Sequence, residues 1–171
     1  NIIGAHTIMW ICRSRNGGIW VGTDGDGIYY LSGHSSQHIT DGIPPIVNSV
    51  HEDSDGALWI GSFGYPCFRQ TASGFKKVSQ LPESPNVFCI TEDSKRTIWI
   101  GTMGSGIYSC SLDSGQFQHI ENPYLSRYIN CIYIRPSGDV LAGTFNGIYD
   151  VRAQEYLCPQ HIVFAIHEDT Q

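Results

Sequence analysis

Apolar and polar positions along this chain recur with a period near forty residues. Three segments align directly: Ile19-Trp20-Val21-Gly22-Thr23, Leu58-Trp59-Ile60-Gly61-Ser62 and Ile98-Trp99-Ile100-Gly101-Thr102. A degenerate fourth copy reads Val140-Leu141-Ala142-Gly143-Thr144. The intervals from Gly22 to Gly61, Gly61 to Gly101 and Gly101 to Gly143 are 39, 40 and 42 residues. Upstream of each copy stand two aliphatic residues three apart: Ile8 and Ile11, Val47 and Val50, Val87 and Ile90, Ile129 and Ile132. A fifth such pair, Val163 and Ile166, has no tryptophan strand after it. An acidic turn follows the pair as Glu52-Asp53 and Glu92-Asp93, and again as Glu168-Asp169. Downstream comes Gly-Ile-Tyr, at residues 27–29, 106–108 and 147–149, with Pro66-Cys67-Phe68 in copy two.

Each unit reads as four short strands bounded by Gly, Pro, Asp or Ser, at 47–53, 57–62, 66–70 and 75–78 in copy two. No window has the 3.6-residue apolar period of an amphipathic helix. Leu58-Trp59-Ile60 is apolar on both faces, as expected of a strand covered on both sides. A forty-residue repeat of four strands predicts an all-β chain: a β-propeller fragment of four four-stranded antiparallel blades plus the first strand of a fifth. The blades are placed at about 6–40, 46–79, 86–121 and 128–158, with a fifth starting at 162–171. Residues 167–171 stop inside a repeat, so the segment is expected to be part of a larger ring. The alternative is a closed four-bladed ring in which 162–168 completes the first blade.

Composition narrows the functions. Charged residues are sparse at 15%, while 19 Gly, 9 Tyr and 4 Trp suit strands joined by tight turns. A net charge of −6 with scattered Lys and Arg lacks the footprint of a nucleic-acid binder. No apolar run reaches the roughly 20 residues that span a bilayer, so any membrane link would run through segments outside this chain. Six cysteines form no CxxC pair, and buried free thiols are expected for them.

The repeated residues resemble the two-component regulator propeller repeat, whose consensus runs from the spaced aliphatic pair through Glu-Asp and Leu-Trp-Ile-Gly-Thr to Gly-Ile-Tyr. That resemblance implies the periplasmic propeller of a hybrid sensor histidine kinase, responding to carbohydrate. It also implies partners outside this chain: the remaining blades, an immunoglobulin-like domain, a membrane span and kinase domains. Two copies depart from the pattern. Copy four replaces Trp by Leu141 and the acidic turn by Arg135-Pro136. Copy one keeps Trp20 but has Arg13-Ser14 where the acids belong.

Candidate chemistry is thin. Asp24-Gly25-Asp26-Gly27 and Asp53-Ser54-Asp55-Gly56 resemble the opening of a calcium loop, yet neither has the closing bidentate Glu, and turn chemistry explains both. Seven histidines do not cluster, and no metal site is expected. There is no nucleophile elbow, no activated Cys and no strand–GxGxxG–helix unit, so neither catalytic residues nor a cofactor are expected. What remains is recognition by loops. Hairpins after the tryptophan strands and the inter-blade links are expected on one face. They offer Asp24 and Asp26, Phe63 and Tyr65, Met103 and Ser105, Phe145 and Asn146, and Tyr124 from a link. Aromatic rings beside acceptors suit an oligosaccharide. The expected function is a non-enzymatic sensory segment. The alternatives are a lyase- or glycoside-hydrolase-type propeller enzyme, streptogramin lyase being nearest in repeat style, and a structural scaffold. The open apolar ends of a partial ring predict self-association.

Overall fold

The computed structural model describes residues 6–169. Every regular element there is a strand, and they form four four-stranded antiparallel sheets. The first comprises β1 (Thr7–Arg13), β2 (Ile19–Asp24), β3 (Ile28–Ser32) and β4 (Ser35–Ile39). The second comprises β5 (Ser49–Glu52), β6 (Leu58–Gly61), β7 (Phe68–Thr71) and β8 (Gly74–Lys77). The third comprises β9 (Val87–Glu92), β10 (Thr97–Thr102), β11 (Ile107–Ser111) and β12 (Phe117–Ile120). The fourth comprises β13 (Ile129–Ile134), β14 (Val140–Thr144), β15 (Gly147–Asp150) and β16 (Glu155–Pro159). In each sheet the strand order is the chain order.

The chain forms two compact units, residues 1–87 and 88–171. The core of the first gathers Ile28, Val47, Val50, Leu58 and Ile60. That of the second gathers Cys89, Ile107, Leu125, Ile129, Ala142 and Tyr149. Both are assembled by one device. A Cβ added at Gly22 would meet Val47, and one at Gly61 would fall 2.5 Å from Val87 Cγ1. In the second unit Gly101 faces Ile129, and Gly143 faces Val163. The glycine of each second strand is therefore the hole that receives the aliphatic residue opening the next repeat.

The three-residue spacing of the upstream aliphatics, odd for a strand, has a structural cause. A register shift lies between Ile8 and Trp10 in β1 and between Ile129 and Cys131 in β13. One extra residue there returns positions i and i+3 to the same face. In copy two, β5 begins at Ser49, and the Val47 N–H donates to the Thr23 carbonyl, 2.8 Å away in the preceding sheet. β7 begins at Phe68, two residues beyond Pro66, which has no N–H to give a ladder.

Residues 162–169 form no strand, so the opening strand of a fifth blade is not present as such, and Thr170 and Gln171 lie outside the described residues. Val163 nonetheless donates to the Thr144 carbonyl at 2.9 Å, as Val47 does to Thr23 and Val87 to Ser62. Among the described residues all six cysteines are free thiols, with Cys67, Cys89 and Cys110 buried and Cys158 exposed. Burial pushes the Cys67 thiol up to about 12.

Candidate functional site: hairpins and inter-blade links

The acidic turn and the tryptophan belong to one structural pair. Asp53 is fully buried, and its Oδ2 accepts from Trp59 Nε1 and Arg69 Nη2, each at 2.9 Å. Its Oδ1 accepts from the N–H groups of Asp55 and Ala57, which shapes the turn. Burial pushes this carboxyl up, but the bonds from Trp59, Arg69 and Ala57 outweigh it and hold it below the usual carboxylate range. Asp93 repeats the arrangement, accepting from Trp99 Nε1 at 3.0 Å and from the N–H groups of Lys95 and Thr97. The oxygens of Asp53 are thus engaged by the turn, the indole and Arg69.

The two irregular copies use a loan. Trp20, without an acid in its own turn, donates to Glu52 Oε2 of the next repeat at 2.9 Å, and Ser14 Oγ donates to the same oxygen at 2.7 Å. In copy four, where Leu141 offers no indole, Arg135 Nε lies 3.4 Å from Glu168 Oε1. The first acid of the following copy serves both.

Hairpin tips and links are tied together in each sheet. Gly25 and Gly27 donate to the Pro45 carbonyl, and Gly104 and Gly106 to that of Arg127. Gly64 N–H reaches Asn86 Oδ1 at 2.8 Å, and Gln160 N–H reaches the Asn146 carbonyl at 2.9 Å. The closing Thr of the tryptophan strand locks three of these hairpins: Thr23, Thr102 and Thr144 each donate to the carbonyl of a following glycine. Hairpins tied to links in every sheet, by the same bonds in the first and third, thus present side chains that vary from copy to copy.

The sequence-predicted positions fall on this scaffold in two groups. In the first unit, Asp24 is exposed beside its bridge to Ile46, and Phe63 and Tyr65 are exposed on the β6–β7 hairpin. Asp26 is engaged: it accepts from the Tyr29 hydroxyl and lies 3.3 Å from His38 Nε2 and 3.2 Å from His6 Nε2. The Tyr29 bond, opposed by partial desolvation and aided by His38 and His6, holds its carboxyl below the usual range. In the second unit, Met103 bridges to Tyr128, Phe145 and Asn146 are exposed at a hairpin tip, and Tyr124 is 79% exposed in the link. Ser105 alone of the predicted residues lines a cavity of about 660 Å³, formed by the β10–β11 hairpin, β12 and the link through Arg127.

Three contributors were missed. Tyr128 stacks on Phe145 at 5.2 Å, giving the second unit an exposed aromatic pair. His38 stacks on Tyr29 at 4.3 Å and His119 on Tyr108 at 4.4 Å, each as a cross-strand pair on the outer edge of its sheet. Each histidine stands on the fourth strand opposite the Tyr of Gly-Ile-Tyr, a place fixed by register, because the spacing is 9 residues in the first copy and 11 in the third.

Four-stranded antiparallel sheets in chain order, each receiving the next repeat's first residues on its second strand, are the blades of a β-propeller. Residues 3–25, 42–64 and 80–104 match the sequence profile of the two-component regulator propeller repeat. Among solved structures, the extracellular domain described as that of the hybrid two component system BT3049 of B. thetaiotaomicron is similar, at TM-score 0.78 and 23% identity over 92% of this chain. So is the extracellular domain of the one component system BT4673 from the same organism, at TM-score 0.72 and 17% identity over 99% of this chain. Virginiamycin B lyase of Staphylococcus aureus also matches, at TM-score 0.72 and 20% identity over 84% of this chain. The chain spans 22% and 23% of the two sensor domains and 52% of the lyase. No curated protein sequence is similar to it.

Proposed function

We propose that this chain is a ligand-responsive propeller segment of a two-component sensor, acting in the periplasm, responding to carbohydrate and carrying no catalytic step of its own. The observation behind this is the hairpin–link scaffold, in which every sheet ties a hairpin to a link while the exposed side chains change. That is what a recognition surface requires and what a single active site does not. The aromatic residues Tyr124, Tyr128 and Phe145 in the second unit, with Asn146, supply ring faces and acceptors for a sugar. Similarity to extracellular sensor domains adds weight. The signal would pass to domains outside this chain, along with any immunoglobulin-like and kinase parts. Binding would signal by favouring one arrangement of the receptor.

The test is a melting-temperature screen of the purified protein against xylo-, malto- and galacturono-oligosaccharides. Ligand at about 100 Kd stabilises by about 2.7 kcal/mol, a shift of several degrees. No shift with any of them would sink the carbohydrate reading and favour a scaffold. A second reading, a propeller lyase, draws on the likeness to virginiamycin B lyase and on the two histidines that face Asp26. Ring opening of a streptogramin B antibiotic by the purified protein would support it over the sensor.

A further inference from the structure

Blades one and three carry the same hairpin and differ at one telling side chain. Asp26 N–H donates to Thr23 Oγ1 and Ser105 N–H to Thr102 Oγ1, both at 3.1 Å. Behind each hairpin a tyrosine stacks on a histidine. Each histidine Nε2 meets the carbonyl of that same hairpin residue, at 2.8 Å for His38 with Asp26 and 2.9 Å for His119 with Ser105. A carbonyl only accepts, so both Nε2 atoms carry the proton. In blade one the hairpin residue also supplies a carboxylate, which the Tyr29 hydroxyl and the two imidazoles face.

In blade three that carboxylate is absent, because Ser105 stands in its place. Tyr108 instead borders the cavity of about 660 Å³, together with His119, Glu121, Asn122 and Arg127. Glu121 Oε1 lies 3.6 Å from His119 Nδ1, so the imidazole faces the one acid on this wall. Arg127 has no counterpart in blade one, where Pro45 occupies its place and accepts from the same hairpin glycines. Among the described residues no carboxylate pairs with the Arg127 guanidinium. The cavity therefore lacks a carboxylate at the hairpin position where its sister blade has one, Glu121 standing instead on the β12 side, and Arg127 lines it in addition.

We propose that the third-blade cavity binds a small hydroxylated carboxylic acid, whose carboxylate is held by Arg127 and by the Tyr108 hydroxyl as Tyr29 holds Asp26. A guanidinium receives a carboxylate through two parallel N–H bonds, which gives orientation as well as charge. The volume suits a molecule of monosaccharide to disaccharide size. Asn122 and Glu121 stand where hydroxyl groups of such a molecule would find hydrogen-bond partners. Within the carbohydrate reading this names a uronic acid, but the assignment holds for any hydroxylated acid and goes beyond that reading.

The experiment compares D-galacturonate with D-galactose, which differ only in the oxidation of C6, by isothermal titration against the purified chain. Galacturonate is expected to bind at least tenfold more tightly than galactose. Arg127→Ala is expected to weaken galacturonate tenfold or more. Ser105→Asp, which copies blade one, is expected to abolish its binding while circular dichroism stays native. Equal affinity for the two sugars would overturn the proposal, as would an Arg127→Ala variant that binds unchanged. So would the absence of binding by galacturonate, glucuronate and gluconate alike, or displacement by inorganic sulfate as effective as by glucuronate. A neutral oligosaccharide that binds wild type and Arg127→Ala equally would overturn this inference and leave the sensory reading standing.

Discussion

At the scale of single residues, the side chains that look most chemical do structural work. Asp53 is buried without exposure, and its oxygens are engaged by the indole, Arg69 and two turn amides. Cutting it back to Ala leaves the Trp59 N–H and the Arg69 guanidinium without their acceptor. Asp53→Ala should therefore cost roughly 2 to 3 kcal/mol in denaturant unfolding. A loss under about 0.5 kcal/mol would mean that the turn stands without its carboxylate. The charge carries a pH signature as well. A carboxyl whose folded pKa lies below its unfolded value adds stability above the unfolded pKa, near 4, and loses it as pH falls through the folded one. Stability curves between pH 6 and pH 2 should thus fall less steeply on the acid side for Asp53→Asn than for wild type. Parallel acid limbs would show that Asp53 contributes no linked proton. His38 and His119 follow the same rule of structural employment, each stacked on a tyrosine and bonded to a hairpin carbonyl.

At the scale of elements, the strands were legible in the sequence because burial on both faces writes a run such as Leu58-Trp59-Ile60 with a glycine behind it. The reason for the glycine was less legible. Close backbone approach and the conformation of the following hairpin were both open explanations, and what excludes a side chain at Gly61, the last residue of β6, is Val87. A methyl group at Gly61 would stand 2.5 Å from Val87 Cγ1 and 3.2 Å from Ser49 Cβ, so Gly61→Ala should destabilise by about 1 to 3 kcal/mol. Combined with Val87→Ala, which opens the space, the pair should cost less than the sum of the single changes. Strict additivity in that double-mutant cycle would deny the contact. The cavity and the Tyr–His stacks could not be read from pattern, because they depend on which residue of β12 stands opposite Tyr108. That register is set by the loop between β11 and β12 rather than by hydrophobic alternation. The loan of Glu52 to Trp20 was hidden for a related reason: its partners are 32 residues apart and belong to different copies.

At the scale of the molecule, one repeat position separates the first blade from the others. Val47, Val87 and Ile129 open their repeats fully buried, whereas Ile8 at the same position is 47% exposed. Ile11 is 59% exposed where its counterpart Val50 is buried, and Ile19 on β2 is exposed beside it. Elsewhere the residue at this position packs over the glycine of a preceding second strand. The exposed stripe is thus shaped to receive another tryptophan–glycine strand. A second copy of the chain carries such strands, and apolar surface of this kind associates in water. We expect sedimentation velocity to show association that rises with protein concentration. Ile8→Glu with Ile11→Glu should shift the population toward monomer while leaving the near-ultraviolet circular dichroism of the folded blades unchanged. These positions are exposed, so the charges should be tolerated in the monomer and penalised only in the contact. A wild type that stays monomeric across a hundredfold concentration range would refute association through this stripe. A double variant that associates as strongly as wild type would place the contact elsewhere.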